Sequence, residues 1–356
     1  MMDSPDGLVW LTQQEYGWYI AAYLFFSGLA GGAYVTGFAA DVLRVRSTDP
    51  AVDRPMYSIT RWGTVLALGA VGAGMVFLLV FHLGAPVRAL LFPILFVNVG
   101  SWLVIGTWII VLFSAVATLQ GLWVVWHENP AGRAAFPRVV TSRIENRFDV
   151  PVDSWLARVA SRTHPGPRRR LLCSGVGSAL ALSMIAYTGF KLGDVSATVP
   201  LWDGTLLPAL FLASALSIGL AATVGVTVLF DGVEGTNVTA FSVADDVVIL
   251  GEIAVLALFL TTLASGGPGA VSAFGLLTEE YGLVFWGGVV TVGLALPLAI
   301  SVGLIALERR VDVHASDRLR RLVRGTYTLK FGFVVLGGVA LRYLIIAAAY
   351  NAPLST

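Results

Sequence analysis

The chain is poor in the residues that hold redox metals. Cys173 is the one cysteine in 356 residues. A lone thiol cannot close an internal disulfide, and it cannot carry an iron–sulfur cluster, which takes four ligands. Cys173 begins an apolar run and reads as a small packing residue. There are four histidines, His82, His127, His164 and His314. Haem iron needs strong axial ligands, most often histidine. Three of the four fall in polar linkers, and no two apolar runs present facing histidine pairs, so a dihaem cytochrome b is excluded. No metal site is expected, and any redox role must use a bound diffusible carrier. Charge is also scarce: 13% of residues are charged, about half the share of a soluble domain. A net charge of +1 gives no case for nucleic-acid binding. The opening "MMDSPDGLVW" lacks the basic n-region of a cleavable signal, so the first apolar run is expected to stay.

What the chain has is apolar length. Hydrophobic residues make up 56% of it, grouped in blocks long enough to cross the roughly 30 Å hydrocarbon layer. Eight spans are predicted, at 17–43, 62–83, 99–126, 171–192, 205–230, 244–264, 281–307 and 327–350. A shorter piece, 86–97, holds two prolines and reads as interfacial or re-entrant. This is an all-α integral membrane protein of the cytoplasmic membrane, embedded in the lipid bilayer. Of the 23 basic residues only Lys191 and Lys330 are lysine. Arginine gathers in linkers 44–61, 127–170 and 308–326, while the opposite side has only Arg88 and Lys191. The positive-inside rule puts those linkers in the cytoplasm and both termini outside. Within the long linker, "VPVDSWLARVASR" (150–162) is amphipathic, a surface helix or a partner's docking site.

The first span contains "FFSGLAGGAY" (25–34). Gly28 and Gly32, like Ser27 and Gly31, are four apart, the spacing that lets helix backbones approach closely. The same lack of bulk would also leave room for a ligand ring or tail. Pro297 is expected to bend the seventh span.

Several stretches then resemble one family in its own order. "YIAAYLFFSGLAGGAY" (19–34), "HLGAPVR" (82–88), "SWLVIGTWIIVLF" (101–113), "YTGF" (187–190), "LWDGTLLPALFLASALSIG" (201–219), "WGGVVTVGLALPL" (286–298) and "LGGVALRYLII" (336–346) are similar to segments of the polysulfide reductase membrane subunit family, also called NrfD-like. The resemblance implies two four-helix bundles, here 1–192 and 193–356. It implies a quinone site near the outer face, menaquinone in particular, with no haem or iron–sulfur cluster in this chain. The implied partners are an iron–sulfur subunit with ferredoxin-like clusters and a molybdopterin catalytic subunit, and the implied direction is quinol oxidation in anaerobic respiration. His82 stands where the family has aspartate; Tyr187 and Arg342 match family positions.

The residues themselves offer a quinone site at the outer ends of the first four spans, where an apolar slot meets proton-exchanging groups. Candidates are Gln14, Trp18, Tyr19 and Tyr23 on the first span, His82 at the end of the second, Trp102 and Thr107 on the third, and Tyr187 and Lys191 on the fourth. His82 and Tyr187 are the candidates for direct chemistry, histidine because it exchanges protons near neutral pH. Trp18 and Tyr19 also fit an interfacial aromatic belt. Glu252 and Arg342 lie deep in spans six and eight, where charge is costly and faces protein or water; they read as an ion pair or as part of a proton path. A secondary transporter and a plain membrane anchor are the competing functions.

Overall fold

The structure is a computed structural model that describes residues 2–3, 9–12, 16–47, 49–82, 95, 98, 100–128, 136–231, 236–310 and 316–351. Eight helices are long and apolar enough to cross a membrane: Trp18–Arg46, Pro50–Phe81, Trp102–His127, Pro167–Gly193, Leu206–Asp231, Val238–Ala264, Leu283–Leu307 and Asp317–Ala347. Each overlaps a predicted span. The second and eighth begin about three turns earlier than hydropathy indicates. Backbone hydrogen bonding, not apolarity, sets a helix start: Asp49 caps the second helix by accepting from the Ala51 N–H at 2.8 Å, and Pro50 supplies a preset first turn. Apart from Leu95, the short piece 86–97 lies outside the described residues.

Two helices fill the long linker, Phe136–Phe148 and Val152–Thr163. The second was expected from its pattern, and it docks on the C-terminal end of the third span. Trp123 Nε1 donates to Thr163 Oγ1 at 3.1 Å and Trp126 Nε1 to Asp153 Oδ1 at 2.7 Å. Trp155 points away and stays exposed.

Short strands were not anticipated. β1 (Met2–Asp3) pairs with β2 (Val9–Thr12), and β2 pairs with β3 (Tyr350–Asn351), all antiparallel. The segment before the first span is thus joined to the segment after the eighth, on one side of the layer, as an even number of crossings requires.

Spans one and five sit at the centre. Over its most apolar stretch the first is 72% buried and the fifth 61%, against 28% for the second, third and sixth. The first touches spans two, four, five and eight, and one continuous core runs from Leu24 through Phe211 and Ile249 to Phe285 and Leu341. The glycines explain this centrality. A Cβ on Gly32 would collide with the Ala215 carbonyl, and one on Gly219 with the Gly32–Ala33 peptide. Gly31 faces Ile185 of span four, where a Cβ would come 2.7 Å from Cδ1. Close packing is the first of the two roles considered for these residues, and the geometry requires it.

Span seven is wound as a π-helix over Leu283–Ala295 and as an α-helix over Leu296–Glu308. Pro297, which has no N–H for the ordinary bond four residues back, sits where the winding changes. Thr291 Oγ1 donates to the Trp286 carbonyl, five residues back, at 2.7 Å.

The helix ends next to the arginine-rich linkers are tied by charge. Arg170 Nη2 donates to Asp41 Oδ1 at 2.5 Å, both groups being buried, and Arg170 Nη1 lies 3.2 Å from Glu128 Oε1. Arg44 bonds Glu128 at 2.6 Å and Asp53 at 2.9 Å, while His164 Nε2 lies 3.3 Å from Glu128. Arg61 grips both oxygens of Asp231 at 2.8 and 2.7 Å, joining spans two and five. Burial works to raise the Glu128 pKa, but Arg170, Arg44 and the His164 contact outweigh it and hold the carboxyl below its ordinary value of about 4.5.

The helix contact and the charge cluster each have a direct test. Gly32→Val drives a side chain into span five and should lower stability by about 1–3 kcal/mol or more, read as thermal unfolding in detergent. Gly72→Val, where a Cβ meets nothing within 4 Å, should be tolerated. As for the cluster, a carboxylate with a depressed pKa stabilises fully above its unfolded value, and the gain is lost as pH falls through the folded one. Thermal stability should therefore drop below about pH 4.5, and Glu128→Gln should remove that part of the pH dependence.

Candidate functional site

The end of the first half opposite the arginine-rich linkers gathers several expected residues. Tyr187 is buried, its ring lying on the face of span three where Gly106 has no side chain; a Cβ there would run into the ring. Tyr23 is buried on span one near Tyr187, which also lies near Tyr16. Ser27 lies one turn inward of Tyr23, buried, with its hydroxyl unpartnered among the described residues. Trp102 stacks on Phe190 of span four with ring centres 5.0 Å apart. Lys191, one turn beyond Tyr187, is half-buried. Nearby, Trp202 is fully buried; its Nε1 donates to the Ile345 carbonyl at 2.8 Å, and its ring lies 5.6 Å from Tyr16.

Other candidates stand apart. Trp18 is 60% exposed and packs on Phe77 and Phe81 at 5.8 and 6.0 Å, as an interfacial belt residue does. Tyr19 is half-buried beside it, 6.3 Å between ring centres. Thr107 donates to its own helix at the Leu103 carbonyl, 2.7 Å away. His82 ends the π-helical turn Phe77–His82, directly after Phe81; its side chain, like all of Gln14, lies outside the described residues.

Glu252 and Arg342 are both buried, and Ser214 of span five lies between them. Arg342 Nη1 donates to Ser214 Oγ at 2.5 Å, and Glu252 interacts with the same hydroxyl and with the guanidinium. Arg342 also lies over the Phe211 ring, 5.3 Å from its centre. Gly28 faces this group: a Cβ there would come 3.2 Å from Arg342 Nη2. The first-span glycines thus also make room for a charge.

Sequence reasoning missed a second buried charged group. Lys330 has no solvent exposure. Its Nζ bonds Asp246 Oδ1 and Ser242 Oγ at 2.7 Å and Ser301 Oγ at 3.2 Å, and lies 3.5 Å from Asp245 Oδ2. Asp245 in turn accepts from Ser217 at 2.9 Å. The group's one signal was a lysine within an apolar run, one of only two lysines among 23 basic residues. Among the described residues no cluster of three histidine, cysteine or acidic side chains is placed to hold a metal ion.

Eight helices long enough to cross a membrane among the described residues, with buried ion clusters between them, define a polytopic membrane protein. Comparison of the sequence with known families narrows this. The family model described as "Polysulphide reductase, NrfD" matches residues 11–353, and the chain belongs to that family of multi-pass membrane proteins. It is 29% identical over 354 residues to the C subunit of polysulfide reductase from Wolinella succinogenes, covering 96% of this chain and 97% of that protein. It is 28% identical over 338 residues to the NrfD homolog of Haemophilus influenzae, covering 92% of each.

Removing the lysine tests the second charged group. Lys330→Met leaves two carboxylates in the interior without their cation and should cost about 3–5 kcal/mol in thermal unfolding. Asp245→Asn in the same chain should restore part of the loss, and an unchanged melting curve for Lys330→Met would show that the cluster does not stabilise the fold.

Proposed function

We propose that this chain is the quinol-binding membrane subunit of a multi-subunit respiratory oxidoreductase. Its partners would be an iron–sulfur subunit seated on the outer face and a molybdopterin catalytic subunit beyond it. The observation that carries the reading is the buried Tyr23–Tyr187 pair at the outer ends of spans one and four, in a protein similar over nearly its whole length to a polysulfide reductase C subunit.

The residues fit a quinol. Aromatic and apolar walls (Trp102, Phe190, Ile20) suit its ring and tail, and phenol hydroxyls donate to or accept from its oxygens. A menaquinol supplies two electrons and two protons on oxidation. Tyr187 holds the ring at one oxygen by hydrogen bonding, fixed there by its seat on Gly106. His82, which stands where the family has aspartate, accepts a proton and passes it outward. Lys191 gives a positive field near the developing oxyanion. We also propose that residues 1–192 and 193–356 form two four-helix bundles, with the quinol site in the first.

A second reading concerns the buried charges. Ser214 and Ser217 are one turn apart on span five, and they link the Glu252–Arg342 group to the Lys330–Asp245 group. We propose this series as a proton route or as a lock on the second half. Glu252→Gln separates the two: a route loses proton movement at normal thermal stability, whereas a lock loses stability.

The quinol reading is tested in the complex purified from native membrane, with metal and quinone analysis. Tyr187→Phe and His82→Ala should each lower quinol oxidation by at least about tenfold while the subunits still co-purify. Unchanged turnover in both variants of an intact complex would contradict it.

A further inference from the structure

Near the cytoplasmic end of span eight a groove of about 590 Å³ opens between that helix and Leu229 of span five. Its span-eight wall follows one helical face, from Arg321 and Arg324 through Thr328 to Leu336, the three-and-four spacing of residues that share a stripe. Polarity changes in one direction along it: two guanidiniums, then a hydroxyl, then apolar surface. From Arg321 to Leu336 the helix rises about 22 Å. That is about the thickness of one leaflet, half of a bilayer of roughly 40–45 Å with its headgroups.

The floor is open by composition. A Cβ on Gly325 or Gly332 would meet nothing within 4 Å, whereas Gly337 and Gly338 of the same helix are pressed against Gly293 and Ile218. Helix contact therefore accounts for the second pair of glycines and not for the first. Leu229 and Leu336 are 50% and 57% exposed along the walls. At the mouth, Arg324 Nη2 donates to the Leu229 carbonyl, which fixes its guanidinium at the groove. Arg321 is exposed, and no carboxylate among the described residues pairs with it.

We propose that this groove is a binding site for one anionic phospholipid of the inner leaflet, its phosphate at Arg321 and Arg324 and an acyl chain over Gly325 and Gly332. Charge selects the occupant. Arginine-rich linkers put this end in the cytoplasmic leaflet, where anionic lipids attract basic residues. A quinone has no charge to match the two arginines, and a zwitterionic lipid matches them less well.

The experiment uses the full-length protein, delipidated in mild detergent and titrated with phosphatidylglycerol or phosphatidylcholine, bound lipid being counted by native mass spectrometry. The wild type should retain one phosphatidylglycerol in preference to phosphatidylcholine. Arg321→Gln should weaken that retention about fivefold, as expected for one basic charge near a lipid surface. Gly332→Leu should weaken retention of the acyl chain at least as much, with thermal stability unchanged. Arg318→Gln, an exposed arginine outside the groove, should have no effect. Four results would overturn the proposal: equal retention of both lipids, equal loss in Arg318→Gln, retention unaffected by both groove variants, or release of the lipid by millimolar inorganic phosphate.

Discussion

The structure depends on how closely the first and fifth helices approach. Lipid gives no hydrophobic drive for helices to associate, so packing and internal hydrogen bonds must hold them together. At Gly32 and Gly219 the two backbones touch with no side chain between. This contact brings spans four and eight against the same central helix. At the end opposite the arginine-rich linkers, Tyr16 packs beside Trp202, with Tyr23 and Tyr187 nearby. Bulk at either glycine would separate the halves and open the proposed site with them.

Around that centre, charge is used in three groups with buried members: Asp41–Arg170–Glu128–Arg44 at the arginine-rich end of the first half, and Lys330–Asp245–Asp246 and Glu252–Ser214–Arg342 in the second. Each joins helices that are not neighbours in sequence. A buried ion pair is weak evidence for net stability, but losing one partner is costly because the other charge is left in a medium that cannot solvate it. Such groups fix which helices meet and in what register. Ser214 and Ser217, on the same central fifth helix, link the two groups of the second half, and this is why the proton-route and lock readings both attach to the same residues.

Much of the fold was legible in the sequence because hydropathy and arginine bias act locally. Eight apolar windows became eight helices, and the amphipathic stretch after residue 150 became the helix Val152–Thr163. The small-residue spacing in the first span marked an interior helix. What escaped notice depends on long-range pairing. Lys330 meets Asp246 across 84 positions and Asp41 meets Arg170 across 129, and no local pattern announces either. The strand pairing of residues near 11 and 351 is equally invisible in a hydropathy trace. Of the outer site, tyrosine and tryptophan placement at the membrane boundary was readable. That Tyr187 turns inward onto Gly106 while Trp18 faces outward was not, because helical rotation is set by neighbours rather than by the run itself.

The most direct measurement of the central claim is to map where a photoreactive menaquinone analogue attaches in the purified, membrane-derived complex, by peptide mass spectrometry. The account predicts labelling at the outer ends of the first, third and fourth spans, within residues 16–23, 102–107 and 187–191, competed away by unlabelled menaquinol. Labelling confined to the cytoplasmic ends, or the absence of any competed labelling in this protein, would contradict it.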